Sequence, residues 1–153
     1  MIALIPLLLL AAPTPERPPA NAEEEAVMAP VERLLGAIAT RDAAAMLQAG
    51  RSDGKLTGVT ERPDGTRSIR SLTLAEFSQL IASGKERVEE RSGLPSIKVD
   101  GDVAMVWARY TFFLEGKIRH CGVNHFDLVR EAGTWKILNI TWSQRTTGCE
   151  GWV

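Results

Sequence analysis

Asp102-Val103-Ala104-Met105-Val106-Trp107-Ala108-Arg109-Tyr110-Thr111-Phe112-Phe113-Leu114, followed at once by Glu115-Gly116 and by Lys117 to Arg130, is the stretch that decides the fold. Side chains alternate between the two faces of a β-strand. Ala104, Val106, Ala108, Tyr110 and Phe112 therefore share one face, and Val103, Met105, Trp107, Arg109, Thr111 and Phe113 share the other. The first set is almost wholly apolar, so a core should cover it. A two-residue turn at Glu115-Gly116 pairs Leu114 with Lys117. Continued without interruption, that register sets Tyr110 opposite Cys121 and Val106 opposite His125. The covered face of the second strand then reads Cys121, Val123, His125, Asp127 and Val129.

Working outward, Glu131-Ala132-Gly133 turns the chain into a third strand, Trp135 to Arg145. Its register depends on that turn, and the preferred one covers Leu138, Ile140 and Trp142. Upstream, Ile97 to Asp100 is a short strand that ends at the Asp100-Gly101 turn. Glu86 to Ser92 fits either a charged, solvent-facing strand or a loop. Lys55 to Thr60 and Ser68 to Arg70 flank Pro63-Asp64-Gly65, a turn signal, and should pair. Three helices come before the meander. Val31, Leu34, Leu35 and Ile38 recur at helical spacing, with Pro30 suited to a first turn and Glu23 to Met28 a candidate earlier turn. Asp42 N-caps a short helix that Gly50 ends. Thr73 and Glu76 form a capping box for a third helix with the stripe Leu74, Phe77, Leu80 and Ile81, ended by Gly84. Helices followed by an antiparallel meander predict an α+β domain.

Composition narrows the function classes. The 153 residues argue for one domain. Eighteen basic against nineteen acidic residues leave a formal charge of −1, which excludes a basic nucleic-acid footprint. With 44 % apolar and 24 % charged residues, the chain is globular and not disordered. The apolar run Ile2 to Ala12 is too short to span a bilayer and fits the core of a secretory leader. Ala20-Asn21-Ala22 has the form of a cleavage site, and the prolines between Pro13 and Pro19 read as an extended linker. Residues 1–22 are thus expected to be a signal peptide and linker. Residues 23–153 are the domain, periplasmic or secreted, with no membrane contact once mature. A buried N-terminal strand is the competing interpretation, since no Lys or Arg precedes the run.

Cys121 and Cys149 are the only cysteines, and in an exported chain they should form a disulfide. His120, Cys121 and His125 do not make a zinc pattern, because His120 falls on the opposite face from the other two. There is no nucleotide-binding glycine loop and no Gly-x-Ser-x-Gly elbow, so no cofactor is expected. The sequon Asn139-Ile140-Thr141 lies in mid-strand. Trp107 and Phe113 on the outer face suit either a homodimer patch or isolated exposure.

Val31-Glu32-Arg33-Leu34-Leu35-Gly36-Ala37-Ile38-Ala39-Thr40-Arg41-Asp42-Ala43-Ala44-Ala45-Met46-Leu47 resembles the opening helix pair of SnoaL-like proteins, in the superfamily named for nuclear transport factor two. Ser71-Leu72-Thr73-Leu74-Ala75-Glu76-Phe77 is similar to the third-helix signature of the lumazine-binding branch. So are the Val99-Asp100-Gly101-Asp102-Val103-Ala104 turn and the Gly133-Thr134-Trp135-Lys136-Ile137 hairpin. The likeness spans residues 27–145. It implies a cone-shaped fold in which a curved antiparallel sheet wraps three helices around a pocket. It also implies dimers through the outer sheet face in many members. Activities in the superfamily range from isomerases, cyclases and hydrolases to binding and assembly domains, so the fold alone does not choose one.

On the expected register, His125 and Asp127 stand on an apolar concave face with Tyr110, Phe112 and Trp142. Ionisable groups in a greasy cavity suit a ligand or acid–base site. Isomerase-like and cyclase-like relatives use a pocket carboxylate or a His–Asp pair as general base. His125 and Asp127 match by face only, and no second acid stands beside Tyr110. Three functions follow. The first is a pocket protein for an apolar or aromatic small molecule, without catalysis. The second is an enzyme using His125 and Asp127 for proton transfer. The third is an assembly domain whose outer face meets a partner.

Overall fold

The computed structural model describes residues 21–153; the expected leader falls outside them except for its last two residues. In chain order the elements are α1 (Ala22–Thr40), α2 (Ala43–Ala49), β1 (Lys55–Glu61), β2 (Arg67–Thr73), α3 (Leu74–Ala82), β3 (Val88–Ser92), β4 (Ser96–Asp100), β5 (Val103–Leu114), β6 (Lys117–Glu131) and β7 (Thr134–Arg145). The seven strands make one sheet in the order β2-β1-β7-β6-β5-β3, with β4 also on β5. The expected antiparallel sheet is in fact mixed, because β1 runs parallel to β7. The chain reaches β1 from the helices, not from a hairpin off β7, so nothing forces that pair to be antiparallel.

The helices begin where side chains satisfy their first amides. Asn21 accepts from the Glu24 amide at 2.9 Å, and Asp42 from the Ala45 amide at 2.9 Å. The Thr73–Glu76 capping box is complete. α1 starts earlier than the periodicity alone suggests, at Ala22, and Pro30 sits inside it, buried. Asn21 and the acidic first turn Glu23-Glu24-Glu25 favour that start. α3 ends at Ala82 with Ser83 as its C-cap, and the expected stop, Gly84, follows directly. Val27, Val31, Leu34 and Ile38 of α1, Met46 of α2 and Leu74 of α3 pack against Val106, Phe126, Leu128, Ile137 and Ile140 of the sheet.

The register of β6 differs from the sequence expectation. Glu115 and Gly116 both have positive φ (51° and 75°), as a tight two-residue hairpin turn requires, and Leu114 faces Lys117. Phe113 then faces Ile118, but Phe112 faces His120, so Arg119 is an extra residue in a bulge. One inserted residue exchanges the faces of everything beyond it. Tyr110 lies opposite Gly122 and Val106 opposite Phe126. The helix-facing side of β6 is therefore His120, Gly122, Asn124, Phe126 and Leu128. The physical reason is burial. The bulge puts Phe126 (2 % exposed) and Leu128 (0 %) in the core, each contributing about 1.5–3 kcal/mol. An unbulged strand would instead bury the Asp127 carboxylate.

A second irregularity lies in β7, where Asp127 faces Asn139 but Leu128 faces Ile137. Leu138 is the extra residue, and Ile137 takes the covered place expected for it; Ile140 and Trp142 keep theirs. β3 is a strand and not a loop. It pairs with the outer edge of β5, setting Glu90 opposite Phe112.

Cys121 and Cys149 are joined in a disulfide with Cα atoms 5.5 Å apart. The tail after β7 thereby crosses the outer face of the sheet. Trp152 donates from Nε1 to the Gly122 carbonyl at 2.8 Å. The guanidinium groups of Arg109 (4.6 Å) and Arg145 (4.0 Å) both stand against its ring.

Candidate functional site

A cavity of about 270 Å³ opens between α1, α3 and the concave face of the sheet. Most of its wall is apolar: Leu34, Leu35 and Ile38 from α1, Phe77, Leu80 and Ile81 from α3, and Phe112 and Trp142 from the sheet. Phe77 meets Trp142 edge-on at 6.4 Å between ring centres. Gly58 makes room for that indole, since a Cβ there would come within 2.5 Å of it.

The polar groups of the wall are Glu90, Tyr110, His120, Asn124 and Gln144. Glu90 points inward because Val88, two residues earlier, is buried on the same face of β3. Its carboxylate accepts from Asn124 Nδ2 at 2.7 Å across β5. Burial raises the Glu90 carboxyl from an ordinary 4.5 to about 7, and the Asn124 bond only partly opposes this. Tyr110 donates its hydroxyl proton to the Ser143 carbonyl at 3.0 Å and meets His120 Nδ1 at 3.2 Å. Burial, then the charge of Glu90, pushes the Tyr110 phenol up. Burial, then the charge of Arg119, lowers His120 to about 4, so its ring is neutral near pH 7. Phe112 stacks flat on that ring at 4.8 Å.

Of the side chains expected at a site, Tyr110, Phe112 and Trp142 line the cavity. His125 and Asp127 do not. The Arg119 bulge carries them to the outer face, where they lie 3.5 Å apart with side chains 31 % and 44 % exposed. The His125 ring there sits 5.9 Å from Trp107. Glu90 supplies the second acid that the sequence did not place near Tyr110. The apolar Val88 two residues before it was the available signal. For His120 and Asn124 the signal was indirect: they share their face with the apolar Phe126 and Leu128 and reach the covered side only through the bulge. Among the described residues no three His, Cys, Asp or Glu side chains converge as metal ligands would.

An α+β cone with a half-open, largely apolar pocket and a part-buried polar cluster on its wall defines a class of small pocket domains. Residues 22–143 match the family described as "Putative lumazine-binding", and the chain belongs to that family. Solved structures share the fold. An NTF2-like protein of unknown function from Shewanella baltica is 13 % identical, with a TM-score of 0.63 over 80 % of this chain and 93 % of its own. A cystatin-like-fold protein of unknown function from Nostoc punctiforme is 14 % identical, with a TM-score of 0.63 over 83 % and 95 %. A ketosteroid isomerase-like protein from Erwinia carotovora atroseptica is 18 % identical, with a TM-score of 0.54 over 82 % and 98 %. No curated protein matches the chain.

Proposed function

We propose that this chain is an exported pocket protein that holds a small apolar or aromatic molecule without turning it over. The cavity carries this proposal: about 270 Å³ of space walled by aliphatic and aromatic side chains, with its polar groups gathered in one cluster. That volume lies just below the roughly 300–1,000 Å³ of sites for drug-sized ligands, so it suits one or two rings. The family description, which names a small heterocycle, points the same way. Export is supported by the Ile2 to Ala12 run and by the disulfide, which belongs in an oxidising compartment. Among the described residues no helix is long and apolar enough to cross a membrane. Trp107 and Val103, 50 % and 60 % exposed on the outer face, support self-association through that face as part of this proposal.

The test is a ligand-observed NMR screen of one- and two-ring fragments against the wild type and Leu35→Trp, which fills the cavity from α1. Fragments that bind only the wild type support the proposal. A screen in which no binding depends on the cavity overturns it. Export is checked by mass spectrometry of the secreted protein, whose N-terminus should lie between Pro13 and Glu23.

One observation favours an enzyme as the second interpretation. A carboxyl titrating at about 7 can both take and return a proton at neutral pH. The general base would then be Glu90, with Tyr110 and His120 beside it, and not His125 with Asp127. Recovery of the bound molecule unchanged supports the first interpretation. Conversion that Glu90→Gln abolishes supports the second.

A further inference from the structure

The hydrogen-bonding pattern of the pocket's polar cluster says more about the ligand than its volume does. A phenol has one proton to give. The Ser143 carbonyl can only accept, so at 3.0 Å it takes the Tyr110 proton. The contact between the Tyr110 oxygen and His120 Nδ1 at 3.2 Å must then run the other way, with Nδ1–H donating to the phenol oxygen. His120 is neutral, so its second nitrogen, Nε2, carries a lone pair. That nitrogen has no partner among the described residues, and it is not sealed off from open space. Glu90 titrates at about 7, so its free oxygen accepts when ionised and donates when protonated. A ligand N–H or a cation favours the ionised, accepting form. One carboxylate oxygen accepts from Asn124 Nδ2 at 2.7 Å and the other is without a hydrogen bond. Asn124 gives one amide hydrogen to Glu90, and its side-chain carbonyl adds a third acceptor. Its second amide hydrogen and the Gln144 carboxamide are the neutral donors of the wall. No Lys or Arg stands among the residues lining the cavity.

We infer that the pocket selects flat, nitrogen-bearing aromatic molecules that donate hydrogen bonds, neutral or cationic, through Glu90, His120 and Asn124, and that it rejects anions. The inference rests on the small-molecule interpretation above and specifies its chemistry. A donor-bearing ring satisfies acceptors that are otherwise left unpaired in a partly desolvated site. A carboxylate or phosphate would find only neutral amide donors, from Asn124 and Gln144, among the side chains of the wall. These stand beside the acceptors and an ionisable Glu90, with no fixed cation to offset the anion's desolvation. The aromatic surfaces of Phe112, Trp142 and Phe77 suit a flat ring.

Four probes of similar size test it by isothermal titration calorimetry near neutral pH: 2-aminobenzimidazole (cationic, several N–H donors), indole (neutral, one N–H donor), benzofuran (neutral, no donor) and benzoate (anionic). The expected affinity order is 2-aminobenzimidazole, indole, benzofuran, with benzoate not binding. The first should exceed benzofuran by about tenfold or more, as a hydrogen bond to a charged or buried acceptor would give. In Glu90→Gln, which keeps an acceptor for Asn124, the ratio of 2-aminobenzimidazole to benzofuran affinity should fall about tenfold. Benzofuran or benzoate binding as well as the donor probes overturns the ligand class while leaving the pocket interpretation standing. An unchanged ratio in Glu90→Gln removes Glu90 from the recognition. Failure of all four to bind overturns the pocket interpretation and this inference together.

Discussion

Glu90→Gln should change how stability depends on pH, and the size of the change follows from the site. Burial raises the Glu90 carboxyl from 4.5 to about 7 in the folded protein. A folded-state pKa above the unfolded one means that the native state holds the proton more tightly. The associated stability is complete below about pH 4.5 and is lost as pH rises through about 7. The shift corresponds to roughly 3 kcal/mol between about pH 4.5 and pH 8. His120 acts in the opposite sense. Its folded pKa of about 4 lies below the ordinary 6.5, so stability falls as pH drops from 6.5 towards 4. The two slopes oppose each other, which flattens the wild-type curve and hides both. Glutamine is isosteric with the protonated acid and still accepts from Asn124, so the variant loses only the charge. Urea denaturation of both proteins across this range should give similar stabilities near pH 4.5. By pH 8 the variant should be more stable by about 3 kcal/mol. A difference that stays constant with pH would show that Glu90 titrates as an ordinary exposed carboxylate, and the buried polar cluster would have to be abandoned.

Three further outcomes are expected. Replacing both Cys121 and Cys149 by Ala should lower stability by about 3–4 kcal/mol, the chain-entropy value for cross-linking residues 28 apart; equal urea midpoints for oxidised wild type and the double variant would contradict this. Gly122→Ala would drive a Cβ into the Ser143 carbonyl, and should cost at least ~2 kcal/mol by thermal or urea melting. Asp127→Asn, on the outer face, should move stability by no more than about 0.5 kcal/mol and leave fragment binding unchanged; a large loss of binding would return Asp127 to the site.

How much was legible in the sequence can be read from two strands. In β5 the alternation of Ala104, Val106, Ala108, Tyr110 and Phe112 named the covered face correctly, because every second residue is apolar and nothing interrupts the run. In β6 the same logic failed at Arg119. The Glu115-Gly116 turn specifies the first pair only, and a bulge leaves no mark in local composition. Phe126 and Leu128 were the residues whose burial demanded it, and they could have been weighed against Asp127.

The sequence by itself determined the helix caps, the hairpin turns, the α+β class and the family, because these depend on neighbours within a few residues or on short motifs. It also placed Tyr110, Phe112 and Trp142 on the covered side. Tertiary structure decided the rest of the site. Glu90, Tyr110, His120 and Asn124 come from three strands, and they meet only when β3 and β6 flank β5 with the bulge in place. Which face an ionisable side chain takes is set by the total burial of its strand, a sum over distant contacts that no local pattern of residues contains.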